Sequence, residues 1–313
     1  MAVAAIEAVG LVKSYDGVRV LDQVDVRVER GTVFALLGPN GAGKTTMVRI
    51  LSTLTRADAG VALVAGFDVV RERSAVRARI SLTGQDVAVD GVQTAAENLV
   101  MMGRLGGLGR TAARARASEL LERFDLAAHA DRRVATLSGG MRRRLDLAAG
   151  LVGSPQVLFL DEPTTGLDPR SRQQTWQLVA ELAGSGSTIF LTTQYLEEAD
   201  RLADRIGVLD GGRVVALGAP AELKTRIAER RLDLSLRDRE AFGRVSAALG
   251  ARAVRADPGG LTIGVATDGS APHVRLLLDQ VDPTRVDVVE FAVHTASLDD
   301  VFLALTGKDS VHV

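Results

Sequence analysis

The sequence predicts an α/β core built around a phosphate-binding loop, followed by a smaller α+β unit. Three observations carry this. Between residues 32 and 54 an apolar run enters a glycine-rich loop and then a helical period. A second apolar run ends in two adjacent carboxylates, Asp161 and Glu162. After Pro220 the pattern changes to short strands and helices in the order β-α-β-β-α-β.

The first element is Thr32 to Leu37, an apolar run with the length of a buried strand. Gly38-Pro39-Asn40-Gly41-Ala42-Gly43-Lys44-Thr45 follows, then Thr46 and the helically spaced Met47, Ile50, Leu51 and Leu54. This matches the pattern of glycine, four variable positions, then Gly-Lys-Ser/Thr. The chemistry requires these residue types. Backbone N–H groups must converge on a polyphosphate without side chains in the way, and the helix N-terminus adds partial positive charge. In this reading Lys44 reaches the β- and γ-phosphates and the Thr45 hydroxyl meets Mg²⁺.

The second element is the apolar strand Gln156 to Leu160, which delivers Asp161 and Glu162 to its C-terminal end. Open α/β sheets bind their ligands at that edge. Asp161 suits Mg²⁺, which takes oxygen ligands and keeps part of its water shell. Glu162 suits a general base that orients and polarises the water attacking the γ-phosphate, a role worth about 10²–10⁴ in rate. A strand ending in acidic residues is often only structural, and the phosphate loop is what turns this pair towards function.

Between them lies Leu137-Ser138-Gly139-Gly140-Met141, ahead of a helical stretch with Leu145, Ala148, Ala149 and Val152 on one face. As bare chemistry this is either a second anion site or a serine N-cap.

Taken in order, these motifs resemble the ATP-binding subunits of ATP-binding cassette transporters over roughly residues 6 to 220. The resemblance implies a mixed-sheet core with an N-terminal antiparallel β part and a helical subdomain at about 86–152. Leu137 to Met141 correspond to the family signature Leu-Ser-Gly-Gly-Gln, which faces the γ-phosphate of ATP held by the opposite protomer. The implied assembly is a homodimer around two Mg-ATP, attached to a separate membrane permease. Tyr15 resembles the aromatic that stacks on adenine. Gln85 resembles the glutamine that senses Mg²⁺ and the γ-phosphate. Thr165-Gly166-Leu167-Asp168 resembles the loop that crosses the dimer beside Glu162.

Two positions depart from the family pattern. Met141 replaces the signature glutamine, leaving Ser138, Gly139 and Gly140 for phosphate contact. Gln194 stands where the family has a histidine on the γ-phosphate. It donates a hydrogen bond but carries neither a proton for transfer nor a positive charge, so base chemistry falls to Glu162. The runs Thr192 to Asp200 and Leu137 to Leu145 are most similar to the daunorubicin/doxorubicin-resistance type of subunit, which implies drug export. The alternatives are a non-transport ATPase of the same family and a nucleotide-gated binding switch with weak turnover.

Composition is compatible with this. The 313 residues suit one main domain plus an appendage, divided by the motifs at 1–222 and 223–313. The hydrophobic fraction is 46%, but it lies in runs far shorter than the about 20 apolar residues a membrane helix needs. Net charge is −1, which argues against a nucleic-acid partner. There is no cysteine, hence no disulfide or thiolate metal site, and Glu7 interrupts the apolar start, so no secretory signal is read. The expected location is the cytoplasmic face of the membrane, reached through the permease.

In the last third, Leu232, Leu234 and Leu236 alternate as a strand, Glu240 to Leu249 form a helix, and Ala251 to Ala256 and Leu261 to Ala266 flank the turn Asp257-Pro258-Gly259-Gly260. A helix near His273 to Val281 and a strand from Arg285 to Val293 complete a ferredoxin-like order. Ser297 is positioned to cap a last helix ending at Gly307. His273 and His294 are isolated and suggest no metal centre. The resemblance implies an accessory domain for assembly or regulation.

Overall fold

The computed structural model describes residues 4–84, 88–227 and 231–294. The chain divides into two compact units, Met1–Pro220 and Ala221–Val313.

The first unit opens with a hairpin of β1 (Ala4–Tyr15) and β2 (Val18–Glu29). Asp16 and Gly17 form its tip with φ of 49° and 80°, the left-handed pair that matches the twist of a two-residue hairpin. β3 (Val33–Leu37), α1 (Lys44–Leu51), β4 (Ala59–Val64), β5 (Phe67–Asp68), α2 (Arg73–Arg77) and β6 (Ile80–Thr83) follow. Then come α3 (Ala95–Leu105), α4 (Arg110–Arg123) and α5 (Gly139–Leu151), three helices packed on one another. α3 starts at a reciprocal cap in which Thr94 and Glu97 each satisfy the other's backbone N–H. The unit continues with β7 (Val157–Asp161), α6 (Pro169–Gly184), β8 (Thr188–Thr193), α7 (Leu196–Leu202), β9 (Arg205–Asp210) and β10 (Arg213–Gly218), and α8 (Pro220–Ile227) follows.

These strands make two sheets, one antiparallel in the order β2-β1-β4-β5 and one of six strands in the order β10-β9-β3-β8-β7-β6. In the second, all neighbours run parallel except β10, which closes the edge antiparallel to β9. Every residue of β3, β7 and β8 is buried, as parallel strands covered on both faces require. Phe190 on β8 packs between Phe34 and Phe159 at centroid distances of 5.4 and 5.7 Å, and the same core continues under the antiparallel sheet through Ile6, Leu21 and Val64. Because β8 lies between β3 and β7, the loops after all three strands open at one edge. That adjacency builds the site.

The second unit contains β11 (Arg231–Leu236), α9 (Arg239–Leu249), β12 (Ala253–Asp257), β13 (Thr262–Ala266), α10 (Ala271–Val281) and β14 (Val288–His294). Its four strands are antiparallel in the order β12-β13-β11-β14. Leu232, Leu234 and Leu236 alternate inwards and pack with Val245 and Leu249 of α9 and Val274, Leu277 and Val281 of α10. β14 begins at Val288, three residues after the start read from sequence. Asp282 explains the delay: the chain turns over 282–285, with the Arg285 N–H on Asp282 O at 3.0 Å and Arg285 at φ 57°, and the Asp282 carboxylate then accepts the N–H groups of Val286, Asp287 and Val288. Likewise 250–252 form a short 3₁₀ turn before β12. The helix read at Ser297 to Gly307 lies outside the described residues.

Candidate nucleotide site

The loop between β3 and α1 is fixed at both ends. Gly38 donates its N–H to Thr193 O on β8 at 3.2 Å, and a Cβ at Gly38 would lie 2.3 Å from Leu209 O, so only glycine fits against β9. Gly43 has φ of 108°, and a Cβ there would meet Val20 O at 2.7 Å. The turn between them is closed by the Ala42 N–H on Pro39 O at 3.2 Å, with Gly41 at φ 81°.

α1 starts at Gly43 with no side-chain cap and no acidic residue in its first turn. Its leading N–H groups and the positive end of its dipole are therefore left for an anion. Asn40, Gly41, Lys44, Thr45, Thr46 and Glu162 line a cleft of about 330 Å³ beside them, with Val20 of β2 on the other wall.

The Lys44 ammonium is bound by Gly38 O at 2.8 Å and Pro39 O at 3.1 Å, and pairs with Glu162 Oε1 at 3.1 Å. Asp161 Oδ1 accepts the Thr45 hydroxyl at 3.3 Å and the Thr192 hydroxyl at 2.5 Å. The phosphate loop and the carboxylate pair, 116 residues apart at Thr45 and Asp161, thus meet directly. Glu162 stands just past the end of β7 at φ 51°, with its N–H on both the hydroxyl and the carbonyl of Thr192 at 3.1 Å. Thr165 donates its hydroxyl to the other Glu162 oxygen at 3.2 Å.

Thr45 and Asp161 offer the hard oxygen donors that Mg²⁺ prefers. Among the described residues no group of three or more His, Asp or Glu side chains is placed to hold a metal ion. A cation here would complete its shell with phosphate and water oxygens, the usual state of nucleotide-bound Mg²⁺.

Gln194, half-buried, follows β8 directly and so stands at the same sheet edge. Tyr15 ends β1 half-exposed, with the Lys13 ammonium 5.2 Å from its ring centroid, and does not line the cleft. Gln85 lies outside the described residues.

Leu137 to Met141 do not join this cleft either. Leu137 is buried, Ser138 caps α5 by accepting the Met141 N–H at 3.2 Å, and Ser138 and Gly139 are exposed. Gly140 abuts α6, where a Cβ would lie 2.6 Å from Ser171 Oγ. Asp168 caps α6 by accepting the N–H of Ser171 at 3.0 Å and its hydroxyl at 2.6 Å, and these bonds hold its carboxyl below the usual range.

Two groups had no signal of their own in the sequence. Thr192, inside the apolar run of β8, fixes both Asp161 and Glu162. Glu198 on α7 is fully buried and accepts the Thr164 hydroxyl at 2.8 Å and the Trp176 indole N–H at 2.9 Å. Burial raises its carboxyl above the usual range, against the opposing hydrogen bonds. In the sequence Glu198 simply follows Glu197, which is exposed, and nothing local sets the two apart. In the second unit a cavity of about 370 Å³ near Arg275, Asp279 and Phe291 assembles no comparable chemistry.

The model of the family described as "ABC transporter" matches residues 21–165. The daunorubicin/doxorubicin resistance ATP-binding protein DrrA of Streptomyces peucetius is 51% identical over 308 residues, covering 97% of this chain and 92% of that protein. The Nod factor export ATP-binding protein I of Ralstonia nicotianae is 40% identical over 301 residues, covering 96% and 93%. Among solved structures, a dimeric post-hydrolysis state of an ATP-binding cassette bound to ADP and Pi superposes with a TM-score of 0.62 at 24% identity, covering 68% of this chain and 98% of that one.

Proposed function

Because this chain belongs to the ABC transporter family and is an ATPase, we propose that it is the motor subunit of an exporter, closing as a homodimer around two Mg-ATP to drive efflux of a hydrophobic drug or antibiotic through a separate permease. One observation carries the dimer. The phosphate loop, both carboxylates and Gln194 share one sheet edge, while Ser138 and Gly139 lie exposed outside that cleft. One chain thus holds two separate half-sites, and a second copy completes each.

In this reading Lys44 and the α1 N–H groups hold the phosphates, with Tyr15 against adenine. Thr45, Asp161 and Gln85 attend Mg²⁺, which when bound neutralises the β- and γ-phosphate oxygens. Glu162 takes the proton from the attacking water, and Gln194 donates a hydrogen bond towards the γ-phosphate. Ser138 to Met141 approach the partner's nucleotide, and Asp168 belongs to the loop crossing between protomers.

Among the described residues no helix is long and apolar enough to cross a membrane. Export therefore needs a permease, and this subunit sits on it at the cytoplasmic face. The names of the drug-resistance and Nod factor export relatives support the export role. The proposed domains are 1–222, with a helical subdomain at about 86–152, and 223–313. The β-α-β-β-α-β order and the strand order of the second unit support a ferredoxin-like accessory domain for assembly or regulation. A second reading, a nucleotide-gated switch with weak turnover, is favoured by Gln194 alone.

Steady-state ATPase activity against protein concentration tests the proposal, with Lys44→Ala as blank and the assay repeated on permease-containing membranes. Specific activity that rises with concentration supports the dimeric motor. Activity no higher than the blank in both settings sinks it and leaves the switch.

A further inference from the structure

Arg142-Arg143-Arg144 looks like a solvated charge run, yet its middle member is only 4% exposed. The Arg143 Nε donates to Pro163 O at 2.8 Å, and Nη1 donates to Gly84 O at 2.7 Å. Nη1 also lies 3.3 Å from Asp146 Oδ2, one turn along α5 and equally buried. The other Asp146 oxygen accepts the Ala88 N–H at 3.0 Å. Nη2 has no acceptor among the described residues. From one helix, the pair therefore grips the residue after Glu162 and, at Gly84 and Ala88, the chain on either side of residues 85–87.

The grip on Pro163 matters because of the backbone it follows. A non-glycine residue in the left-handed region is strained and persists where its surroundings over-determine it. Glu162, at φ 51°, is held on its N-terminal side by Thr192. On its C-terminal side Pro163 has no N–H, so its carbonyl is the backbone handle there, and a charged donor takes it.

We propose that Arg143, oriented by Asp146, is a positioning residue for ATP hydrolysis: it locks the turn that aims the Glu162 carboxylate and ties that aim to α5, whose N-terminus carries Ser138 to Met141. This rests on the reading of Glu162 as the base. It also makes the exposed signature of one protomer mechanically continuous with the base of the same protomer. Lysine cannot replace Arg143, because a single ammonium lacks the planar fork that spans Pro163 O and Gly84 O.

The test uses the full chain, with permease-containing membranes for activity and purified protein for hydrogen exchange. Arg143→Lys lowers kcat at least about tenfold and leaves KM for ATP within about threefold. In a Glu162→Gln background the same change lowers the residual rate less than about twofold, because the group it aims is already disabled. In nucleotide-free protein, the Thr165 and Leu167 amides, bonded to Glu162 O and Thr164 O, exchange at least about tenfold faster while those of β3 and β8 do not change. The pair Arg143→Leu with Asp146→Leu removes both buried charges together, leaves neither unpaired, and reproduces these effects. An equal fold-loss in the Glu162→Gln background, or unchanged exchange at Thr165 and Leu167, overturns the proposal. A parent no more active than Lys44→Ala sinks the motor reading instead, and exchange still decides the positioning.

Discussion

The Lys44 ammonium stands 3.1 Å from Glu162 Oε1, with 4% and 8% of the two side chains exposed. The proposed phosphate-holding group and the proposed base therefore neutralise each other in this structure. In the proposed function a polyphosphate brings more negative charge to Lys44 than one carboxylate does, so nucleotide binding is expected to exchange the pair and free Glu162 for water. Lys44→Ala removes the phosphate contact and strands Glu162 as a buried carboxylate. ATPase activity is expected below about one hundredth of the parent's, the scale set by losing one group that stabilises transition-state charge. Nucleotide binding by equilibrium dialysis is expected to weaken with it.

Glu162→Gln separates binding from chemistry. The amide keeps the size and one acceptor for Thr165 but takes no proton from water. The expected fall in kcat is about 10²–10⁴-fold, with ATP affinity retained. Size-exclusion chromatography with ATP is expected to show a larger dimer fraction than the parent shows. A variant that turns over at the parental rate would remove Glu162 from the role of base.

Gly43→Ala tests the loop without touching any charge. Alanine at φ 108° is strained whatever space surrounds it, and its Cβ would press to 2.7 Å on Val20 O. The strain alone costs roughly 1–2 kcal/mol, and moving the loop off β2 disturbs the N–H groups of α1. ATP affinity is expected to drop at least about tenfold, since 1.4 kcal/mol is a factor of ten. Gly41→Ala meets no atom but is also left-handed, so it is expected to show the smaller loss.

What the sequence disclosed depends on whether a feature is local in the chain. The phosphate loop and the end of β7 are written in consecutive residues, so strand, loop and carboxylates were all legible. Thr192 was not. Its role arises because β8 lies between β3 and β7, and strand adjacency is a tertiary fact. Arg143 carries no local signal either: it is the middle of three consecutive arginines, and only the packing of α5 buries it. The start of β14 was misplaced for a similar reason, since Asp282 captures amides several residues ahead.

Glu198 offers a prediction in pH. Its carboxyl is buried among Thr164, Trp176 and α7, and burial raises its folded-state pKa above the ordinary value. A raised acid binds more protons folded than unfolded. Its contribution is therefore complete below the unfolded pKa, near 4.5, and is lost as pH rises towards the folded value. Asp146 is shifted the same way by burial, so the parent alone does not isolate the effect. Glu198→Gln does, because the amide keeps an acceptor for Thr164 and Trp176 and cannot ionise. The Tm of the variant minus that of the parent is expected to rise between pH 5 and pH 8. A difference that falls over this interval, or stays flat with no Tm loss, would place the proton elsewhere. A flat difference with a Tm loss at every pH would instead mean that Glu198 acts only through its hydrogen bonds.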